Sequence, residues 1–282
     1  MFDIKSFYEA DSVEDAIAAL TADPQSQVIS GGADVLIRVR EGKDAGRGLL
    51  SIHNIPELKG VSLEEDGTII IRPATSFSHI TNDPIIKKHL SMLGEAVDQV
   101  GGPQVRNTAT IGGNICNGAT SADSASTMCA LNATVVLKGP EGVREVPVTE
   151  FYTGPGRTVR KQNEVCTAFK ITRENYEGWE GHYIKYGKRR AMEIATLGCA
   201  VRVKLSPDKT VLEDVRLAYG VAAPTPVRCY EAEEALRGKQ VSDATIYDLF
   251  ADKALSQVNP RTSWRASRAI CRWSTTARLI ST

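Results

Sequence analysis

Two glycine pairs, each placed directly after a short apolar segment, most constrain how this chain can fold. The first ends Val28-Ile29-Ser30-Gly31-Gly32, and the second lies in Thr110-Ile111-Gly112-Gly113-Asn114. Because glycine has no Cβ, the backbone amides around such a pair can approach an anion closely. Two such pairs, the second followed by polar residues up to Asp123, can hold a pyrophosphate between them. On spacing alone, a nucleotide site and two plain turns both remain open.

Neither glycine pair belongs to a self-sufficient phosphate motif. A P-loop needs Gly-x-x-x-x-Gly-Lys followed by Ser or Thr, and the usual dinucleotide fingerprint needs Gly-x-Gly-x-x-Gly. Neither pattern occurs at these positions. If the two segments bind a nucleotide, they must do so together.

Charge and hydropathy exclude several classes of protein. The 282 residues carry 34 Lys and Arg against 34 Asp and Glu, which weighs against a nucleic-acid-binding protein. No apolar run reaches the roughly 20 residues of a membrane span, and the N-terminus lacks the pattern of a signal peptide. We therefore expect no nucleic-acid partner, no membrane association and a cytoplasmic location.

Metal chemistry is not expected of this chain. Its six cysteines form no Cys-x-x-Cys pair, and its four histidines form no His-Glu-x-x-His motif. Zinc and iron–sulfur sites normally require such close spacing. We predict no metal ligands, and free thiols in a reducing compartment.

The first half of the chain alternates strand and helix patterns. A helix beginning after Ser12, a strand at 27–30, a helix at 34–40 and a strand at 49–52 predict a parallel βαβ-like unit. Hairpins are predicted over 61–71 and 135–148, and one helix over 83–100. The stretch 101–126, rich in Gly, Asn, Ser and Thr, is predicted to be a long functional loop.

The second half follows a different pattern, which indicates a second domain beginning near 172–178. Strand patterns recur at 183–184, 197–205 and 215–221, and helical patterns follow at about 230–237 and 242–257. A chain of this length is also more consistent with two moderate cores than with one. The second domain is therefore expected to be α+β.

Three stretches of the sequence resemble one protein family. SGGADVLI, GPQVRNTATIGGNICNGATSADS and LAYGVAAPTPVRC together resemble the FAD-binding (medium) subunits of the xanthine dehydrogenase and molybdenum hydroxylase family. The similarity extends from the N-terminus to about Trp264. The form GGNICNGATSADS resembles the bacterial xanthine dehydrogenase subunits more than the wider group.

The resemblance implies an α+β fold in two domains. Residues 1–175 would form a vanillyl-alcohol-oxidase/PCMH-type FAD-binding domain of two α/β subdomains, at about 1–57 and 58–175. Residues 176–282 would form a CO-dehydrogenase-flavoprotein-like C-terminal domain with an antiparallel sheet and helices. The tail at 268–282 departs from the family pattern, and our hypothesis is an altered reading frame or a truncation after about Ser267.

The resemblance also implies where non-covalent FAD binds. The first glycine segment (residues 27–36) and the second glycine segment (residues 108–114) would hold the pyrophosphate from opposite sides. Asp123 would bind near the adenosine ribose, Val165 and Cys166 would flank the adenine or the isoalloxazine, and Lys185 would lie near the flavin. The residues carried over as FAD-binding are Gln27, Val28, Ile29, Ser30, Gly31, Gly32, Ala33, Asp34, Val35, Leu36, Thr108, Ala109, Thr110, Ile111, Gly112, Gly113, Asn114, Asp123, Val165, Cys166 and Lys185.

The activity implied by the resemblance is electron transfer within a larger enzyme. The chain would be the FAD-carrying subunit of a multisubunit xanthine dehydrogenase, which oxidises hypoxanthine or xanthine in purine catabolism. It would accept electrons from a 2Fe–2S subunit, itself supplied by a large molybdopterin subunit, and reduce NAD⁺. A heterotrimer or a dimer of heterotrimers is expected.

Other functions remain open from the sequence. The chain could be a free-standing FAD oxidoreductase, the FAD subunit of a CO, nicotinate or aldehyde dehydrogenase, or a scaffold that has lost FAD. No evident His, Asp and Ser nucleophile set lies in the two glycine segments, so a hydrolase is disfavoured. Redox chemistry would come from the flavin, and this chain would bind and orient it.

Overall fold

The N-terminal lobe is a small parallel sheet with its crossover helices. The structure, a computed structural model, describes residues 2–189, 191–264 and 266–269. The elements of this lobe are β1 (Ile4–Glu9), α1 (Val13–Ala22), β2 (Gln27–Ile29), α2 (Val35–Arg40) and β3 (Arg47–Ser51). The strand order is β1-β3-β2, with both pairings parallel. The predicted βαβ-like unit is confirmed, and β1 is an additional strand that the sequence pattern did not predict.

Local sequence sets the start of α1. The Ser12 side chain accepts a hydrogen bond from the Asp15 amide at 3.1 Å, which satisfies one of the donors left open at a helix N-terminus. Ile17 and Leu20 then lie on the buried face of the helix. This agrees with the predicted helix start.

The middle lobe combines a five-stranded sheet with a layer of short helices. Its elements are β4 (Val61–Leu63), β5 (Ile69–Ile71), α3 (Phe77–Asn82), α4 (Pro84–His89), α5 (Ser91–Asp98), α6 (Pro103–Thr108), α7 (Ile111–Cys116), α8 (Asp123–Ala130), β6 (Thr134–Gly139), β7 (Gly142–Pro147), α9 (Val148–Phe151), β8 (Tyr152–Gly154), β9 (Arg157–Thr158) and β10 (Val165–Ile171). The order of the sheet is β4-β5-β10-β6-β7. Both predicted hairpins are confirmed as the antiparallel pairs β4–β5 and β6–β7.

Two sequence expectations in this lobe are wrong. The single helix predicted over 83–100 is two helices, separated at Leu90, whose φ of −133° and ψ of 40° are not helical. The long loop predicted over 101–126 contains α6, α7 and the start of α8. Within this stretch, Thr110 is the N-cap of α7 and its side chain accepts a hydrogen bond from the Gly113 amide.

Helix α8 explains why this loop prediction was wrong. All eight of its residues, DSASTMCA, are buried. A helix enclosed on every side has no polar face, so its sequence lacks the amphipathic stripe that predicts a surface helix. Its small side chains instead allow α5 and the C-terminal sheet to pack closely against it.

The C-terminal lobe is a four-stranded antiparallel sheet covered by two helices. Its elements are β11 (Trp179–Tyr186), β12 (Leu197–Leu205), β13 (Leu212–Gly220), β14 (Val227–Arg228), α10 (Tyr230–Leu236) and α11 (Thr245–Gln257). The strand order is β11-β12-β13-β14. The predicted α+β character of this region is confirmed.

Buried arginines attach the C-terminal sheet to α8. The guanidinium of Arg228 donates to the Cys129 carbonyl at 3.0 Å, and that of Arg216 donates to the Ala130 carbonyl at 3.4 Å. Positive charge at the C-terminal end of a helix also interacts favourably with its dipole. Arg228 also forms a bidentate ion pair with Glu233: its Nε donates to Oε1 at 2.7 Å and its Nη2 donates to Oε2 at 2.6 Å. Both side chains are only 5 % exposed.

Three further predictions concern the domain boundary, the C-terminal tail and membrane-spanning segments. The division of the chain at residue 175 stays a prediction. The atypical tail lies, apart from Arg268 and Ala269, outside the described residues. Within the described ranges, no helix combines the length and the apolar character needed to cross a bilayer.

We predict that the Arg228–Glu233 pair stabilises the C-terminal lobe. Glu233→Gln leaves a buried guanidinium without its carboxylate, so the free energy of unfolding should fall by about 3–5 kcal/mol. Chemical denaturation would measure the change. The control is Glu177→Gln, which removes the exposed Arg173–Glu177 pair and should leave the free energy of unfolding nearly unchanged. Equal losses in the two variants would contradict the prediction.

Candidate functional site

A cavity of about 410 Å³ lies between the first and the second glycine segments. Its walls are completed by the beginning of α8, by β10 and by the segment 192–194 before β12. This size is within the range of small-molecule and cofactor sites. The tertiary structure therefore brings together two segments that lie about eighty residues apart in the sequence.

Most residues predicted to bind FAD line this cavity. They are Gln27, Val28, Ser30, Gly31, Gly32, Ala33, Asp34, Val35, Ala109, Thr110, Gly112, Gly113, Asn114, Asp123, Val165 and Cys166. The cavity lining thus includes residues from both glycine segments, and also Asp123, Val165 and Cys166, which follow them in the sequence.

Five predicted residues do not line the cavity. Ile29 and Ile111 are buried in the protein interior, and Leu36 lies on α2. Thr108 ends α6, where its carbonyl faces Gly31. Lys185 lies behind Asp123 on β11. Their roles in FAD binding stay predictions.

The two glycine segments meet through their backbones. A Cβ at Gly31 would lie 1.7 Å from the carbonyl oxygen of Thr108, and a Cβ at Gly112 would lie 2.4 Å from the Pro73 side chain. No residue other than glycine fits at either position without displacing backbone or a ring. Across the cavity mouth, the Asn117 amide also donates to Asp34 at 2.9 Å.

The second glycine segment differs from the expected amide-rich cradle. The amides of Ile111 and Gly112 donate to the carbonyls of Thr75 and Pro73 at 3.1 and 2.8 Å. Those of Gly113 and Asn114 donate to the side chain and the carbonyl of Thr110 at 3.2 and 3.0 Å. Since these four donors are already used, this segment offers a close backbone wall and polar side chains to a ligand.

The first glycine segment keeps unused polar groups. The Ser30 hydroxyl is buried and finds no hydrogen-bond partner in the part of the chain that the structure describes. Gly32 has a φ of +73°, which turns the backbone from β2 towards α2. A buried hydroxyl without a partner is costly unless a ligand satisfies it. The cavity therefore has the features of a site for a polar ligand.

Asp123 joins the cavity to the C-terminal sheet. One of its oxygens accepts from the Tyr183 hydroxyl at 2.6 Å, and the other accepts from the Lys185 ammonium at 2.9 Å. Burial raises the pKa of the Asp123 carboxyl, while Lys185 and Tyr183 act in the opposite direction. Lys185 also donates to the Gln99 carbonyl at 2.9 Å, so its ammonium is held from both sides. This arrangement positions the Asp123 carboxylate at the cavity wall.

Several cavity residues were not predicted from the sequence. Arg160 and Glu164 come from the turn before β10, and Met192, Glu193 and Ile194 come from the connection before β12. None of them belongs to a glycine-rich or otherwise distinctive motif. The positive φ of Met192, 55°, marks its segment as unusual, but that is visible only in the structure.

Comparisons with known proteins identify the family. Residues 2–173 match the family model described as the FAD binding domain in molybdopterin dehydrogenase, and residues 182–275 match the CO dehydrogenase flavoprotein C-terminal domain. The chain belongs to this family of FAD-binding subunits. Its membership confirms the predicted family and the predicted two-part α+β fold.

Relatives within the family are similar over nearly their whole length. The xanthine dehydrogenase FAD-binding subunit of Escherichia coli O157:H7 is 42% identical over 268 residues, which cover 95% of this chain and 91% of the relative. The nicotinate dehydrogenase FAD-subunit of Eubacterium barkeri is 31% identical over 85% of this chain and 82% of its own. In the structure of carbon monoxide dehydrogenase from Hydrogenophaga pseudoflava, a 29% identical chain superposes with a TM-score of 0.93, covering 100% of this chain and 96% of that one.

The residues present fit the FAD that the family binds. Gly31 allows the first segment to lie directly against the Thr108 carbonyl of the second, and Gly112 allows the second segment to lie directly against Pro73. The unpartnered Ser30 hydroxyl can donate a hydrogen bond to a phosphate oxygen. The Asp123 carboxylate can accept one from a hydroxyl group of the ligand. The family's cofactor and this cavity are therefore chemically consistent.

We predict that Gly31→Ala weakens FAD retention. The added Cβ must push the Thr108 carbonyl away, and overpacking of this kind costs about 1–3 kcal/mol, or roughly a tenfold to hundredfold rise in the Kd for FAD. Flavin absorbance after gel filtration, followed by titration with FAD, would measure it. Gly154→Ala is the matched control, since a Cβ there meets nothing within 4 Å. Undiminished flavin content in Gly31→Ala would contradict the prediction.

A second prediction concerns Glu164 in the cavity wall. Burial tends to raise the pKa of this carboxyl, but hydrogen bonds from Arg144, at 2.7 and 2.8 Å, and from the Lys161 amide hold the pKa below its usual value. A carboxyl with a lowered pKa in the folded state contributes stability above its unfolded pKa. That contribution is lost as the pH falls through the folded pKa.

Glu164→Gln should therefore flatten the acid limb of the stability curve. Thermal unfolding recorded from about pH 6 down to about pH 3 would show a smaller loss of Tm in the variant than in the parent protein. Glu141→Gln removes an 85 % exposed carboxylate in the turn between β6 and β7 and controls for the change in net charge. Parallel acid limbs for the parent and Glu164→Gln would show that this carboxyl does not contribute.

Proposed function

We propose that this chain is the FAD-carrying electron-transfer subunit of a xanthine dehydrogenase. The observation that carries the proposal is the 42% identity to a xanthine dehydrogenase FAD-binding subunit over 95% of this chain. That similarity is well above the 31% found with the nicotinate dehydrogenase subunit. The substrate would be hypoxanthine or xanthine, and its oxidation would take place in another subunit.

The cavity supports a binding role for this chain's own residues. When bound, FAD supplies two-electron and one-electron redox chemistry. The first glycine segment and Ser30 would hold the pyrophosphate, the second glycine segment would close the opposite wall, and Asp123 would accept a hydroxyl of the adenosine ribose. Val165 and Cys166 would contact one of the ring systems from β10. FAD would be held non-covalently.

Partner subunits complete the proposed enzyme. Within the described residues no three His, Cys, Asp or Glu side chains converge in a way that could hold a metal ion. The chain would receive electrons from a 2Fe–2S subunit, supplied in turn by a large molybdopterin subunit. It would pass them to NAD⁺. A heterotrimer or a dimer of heterotrimers, located in the cytoplasm, fits this arrangement.

The test is to measure purine oxidation with and without the partner subunits. The chain alone should carry flavin but give no xanthine-dependent NADH. A complex formed by co-expression with a 2Fe–2S subunit and a molybdopterin subunit should produce NADH from xanthine. Turnover of nicotinate, an aldehyde or CO in place of xanthine would favour another member of the family. Turnover by the isolated chain would instead favour a free-standing oxidoreductase.

The Gly31→Ala variant separates this chain's role from that of its partners. In the assembled complex, loss of FAD should abolish NAD⁺ reduction. Urate formation should persist with a dye that takes electrons from the iron–sulfur subunit. Gly154→Ala should retain both activities. Persistence of NADH formation in a flavin-free complex would overturn the proposal.

A further inference from the structure

Two arginines lie opposite each other on neighbouring strands of the C-terminal sheet. Arg202 on β12 pairs in register with Arg216 on β13, and the two residues are only 3 % and 9 % exposed. Like charges placed directly opposite each other on a sheet are destabilising, and burial removes the water that would screen them. Burial and the neighbouring Arg216 charge lower the pKa of Arg202 to about 9, although Glu180 acts in the opposite direction. The pair therefore carries a cost that a counter-charge would offset.

Neither guanidinium contacts a carboxylate in the part of the chain that the structure describes. Arg202 donates through Nη1 to the Asn175 carbonyl, and Arg216 donates through Nη1 to the Ala130 carbonyl at 3.4 Å. Nε and Nη2 of both arginines have no acceptor among the described residues, yet none of these four atoms is a buried atom without a partner, so solvent reaches them. Two such donors on one guanidinium can bind two oxygens of the same carboxylate or phosphate. Each arginine thus keeps a two-donor edge free.

The acidic residues around Arg216 have other partners. Asp214 and Glu233 each form an ion pair with a different arginine. The Glu174 carboxylate accepts a hydrogen bond from a threonine hydroxyl at 3.2 Å. Burial and the charge of Arg228 lower the pKa of Arg216, and these three carboxylates oppose that change without reversing it. The protein therefore attracts the free guanidinium edges only from a distance.

Trp179 and Gly181 of β11 form the wall beside the two arginines. The Trp179 ring centroid lies 4.1 Å from the guanidinium carbon of Arg216 and 5.2 Å from that of Arg202, so both cations lie over the ring. Gly181 is opposite Arg202, where an added Cβ would lie 2.8 Å from the Arg202 Cγ. Both guanidiniums are therefore held in place before any ligand arrives, which lowers the entropic cost of binding one.

We propose that Arg202 and Arg216 form a binding site for a small oxyanion, the class that includes inorganic phosphate, sulfate and carboxylates. The free Nε and Nη2 atoms donate to the oxygens of the anion, and its negative charge offsets the repulsion between the two guanidiniums. Neither arginine lines the cavity between the glycine segments, so the site is separate from the proposed FAD site. The inference does not depend on the proposed electron-transfer partners.

Calorimetric titration of the purified, flavin-loaded chain with inorganic phosphate tests the proposal. Sodium chloride keeps the ionic strength constant, so that general screening does not change during the titration. We expect saturable binding at this site, with competition from sulfate and from acetate, because each of these anions presents two oxygens to one guanidinium. Absence of saturable phosphate binding would overturn the proposal.

Substitutions at Arg202 distinguish this site from phosphate binding elsewhere on the protein. Arg202→Met should raise the Kd for phosphate about tenfold to hundredfold, as expected for the loss of charge-assisted hydrogen bonds. Arg202→Lys keeps the charge but loses the two-donor edge, so it should weaken binding to a similar degree. Lys253→Met is the control, since it removes an exposed cation from α11 in the same lobe and should leave the Kd unchanged. Unchanged affinity in both Arg202 variants would contradict the assignment.

Thermal unfolding provides a second measurement. Phosphate should raise the Tm of the parent protein and of Lys253→Met above the value in chloride at the same ionic strength, because it binds the folded state. The increase should be absent in Arg202→Met. If that variant does not fold, Arg216→Lys serves the same purpose, since it retains the buried charge. An equal increase in the parent and in the folded arginine variant would show that phosphate acts on the protein in general, and it would overturn the proposal.

Discussion

The contact between Gly31 and the Thr108 carbonyl is the constraint on which the cavity depends. A Cβ at Gly31 would lie 1.7 Å from that oxygen, so the two glycine segments can approach only because the side chain is absent. Gly112 repeats the same condition against Pro73. The glycines thus serve two different purposes, close approach between backbones and access of a ligand to polar groups.

Helix α8 connects this cavity to the rest of the molecule. Its first residue, Asp123, reaches the cavity and binds Tyr183 and Lys185 of the C-terminal sheet. Its last carbonyls accept hydrogen bonds from Arg216 and Arg228. The buried helix is thereby held by charged or polar groups at both ends, which couples the position of the cavity wall to the folding of the C-terminal lobe.

The site could be predicted in part because its motifs are local. Gly31, Gly32, Gly112 and Gly113 can be recognised from the sequence, and all four line the cavity. How each segment works could not be predicted, because the amides of the second segment are used by Thr75, Pro73 and Thr110.

The sequence by itself determined the parallel βαβ unit, both hairpins, the antiparallel C-terminal sheet and the family, because these depend on hydrophobic period, turn residues and distinctive motifs. Only the tertiary structure decided that residues 101–126 are largely helical and that α8 is buried. Small and polar residues carry no period from which this could be predicted, and their helices are stabilised by packing. The partners of Asp123, and the entry of Arg160 and the segment 192–194 into the cavity, were likewise decided by the packing of distant elements.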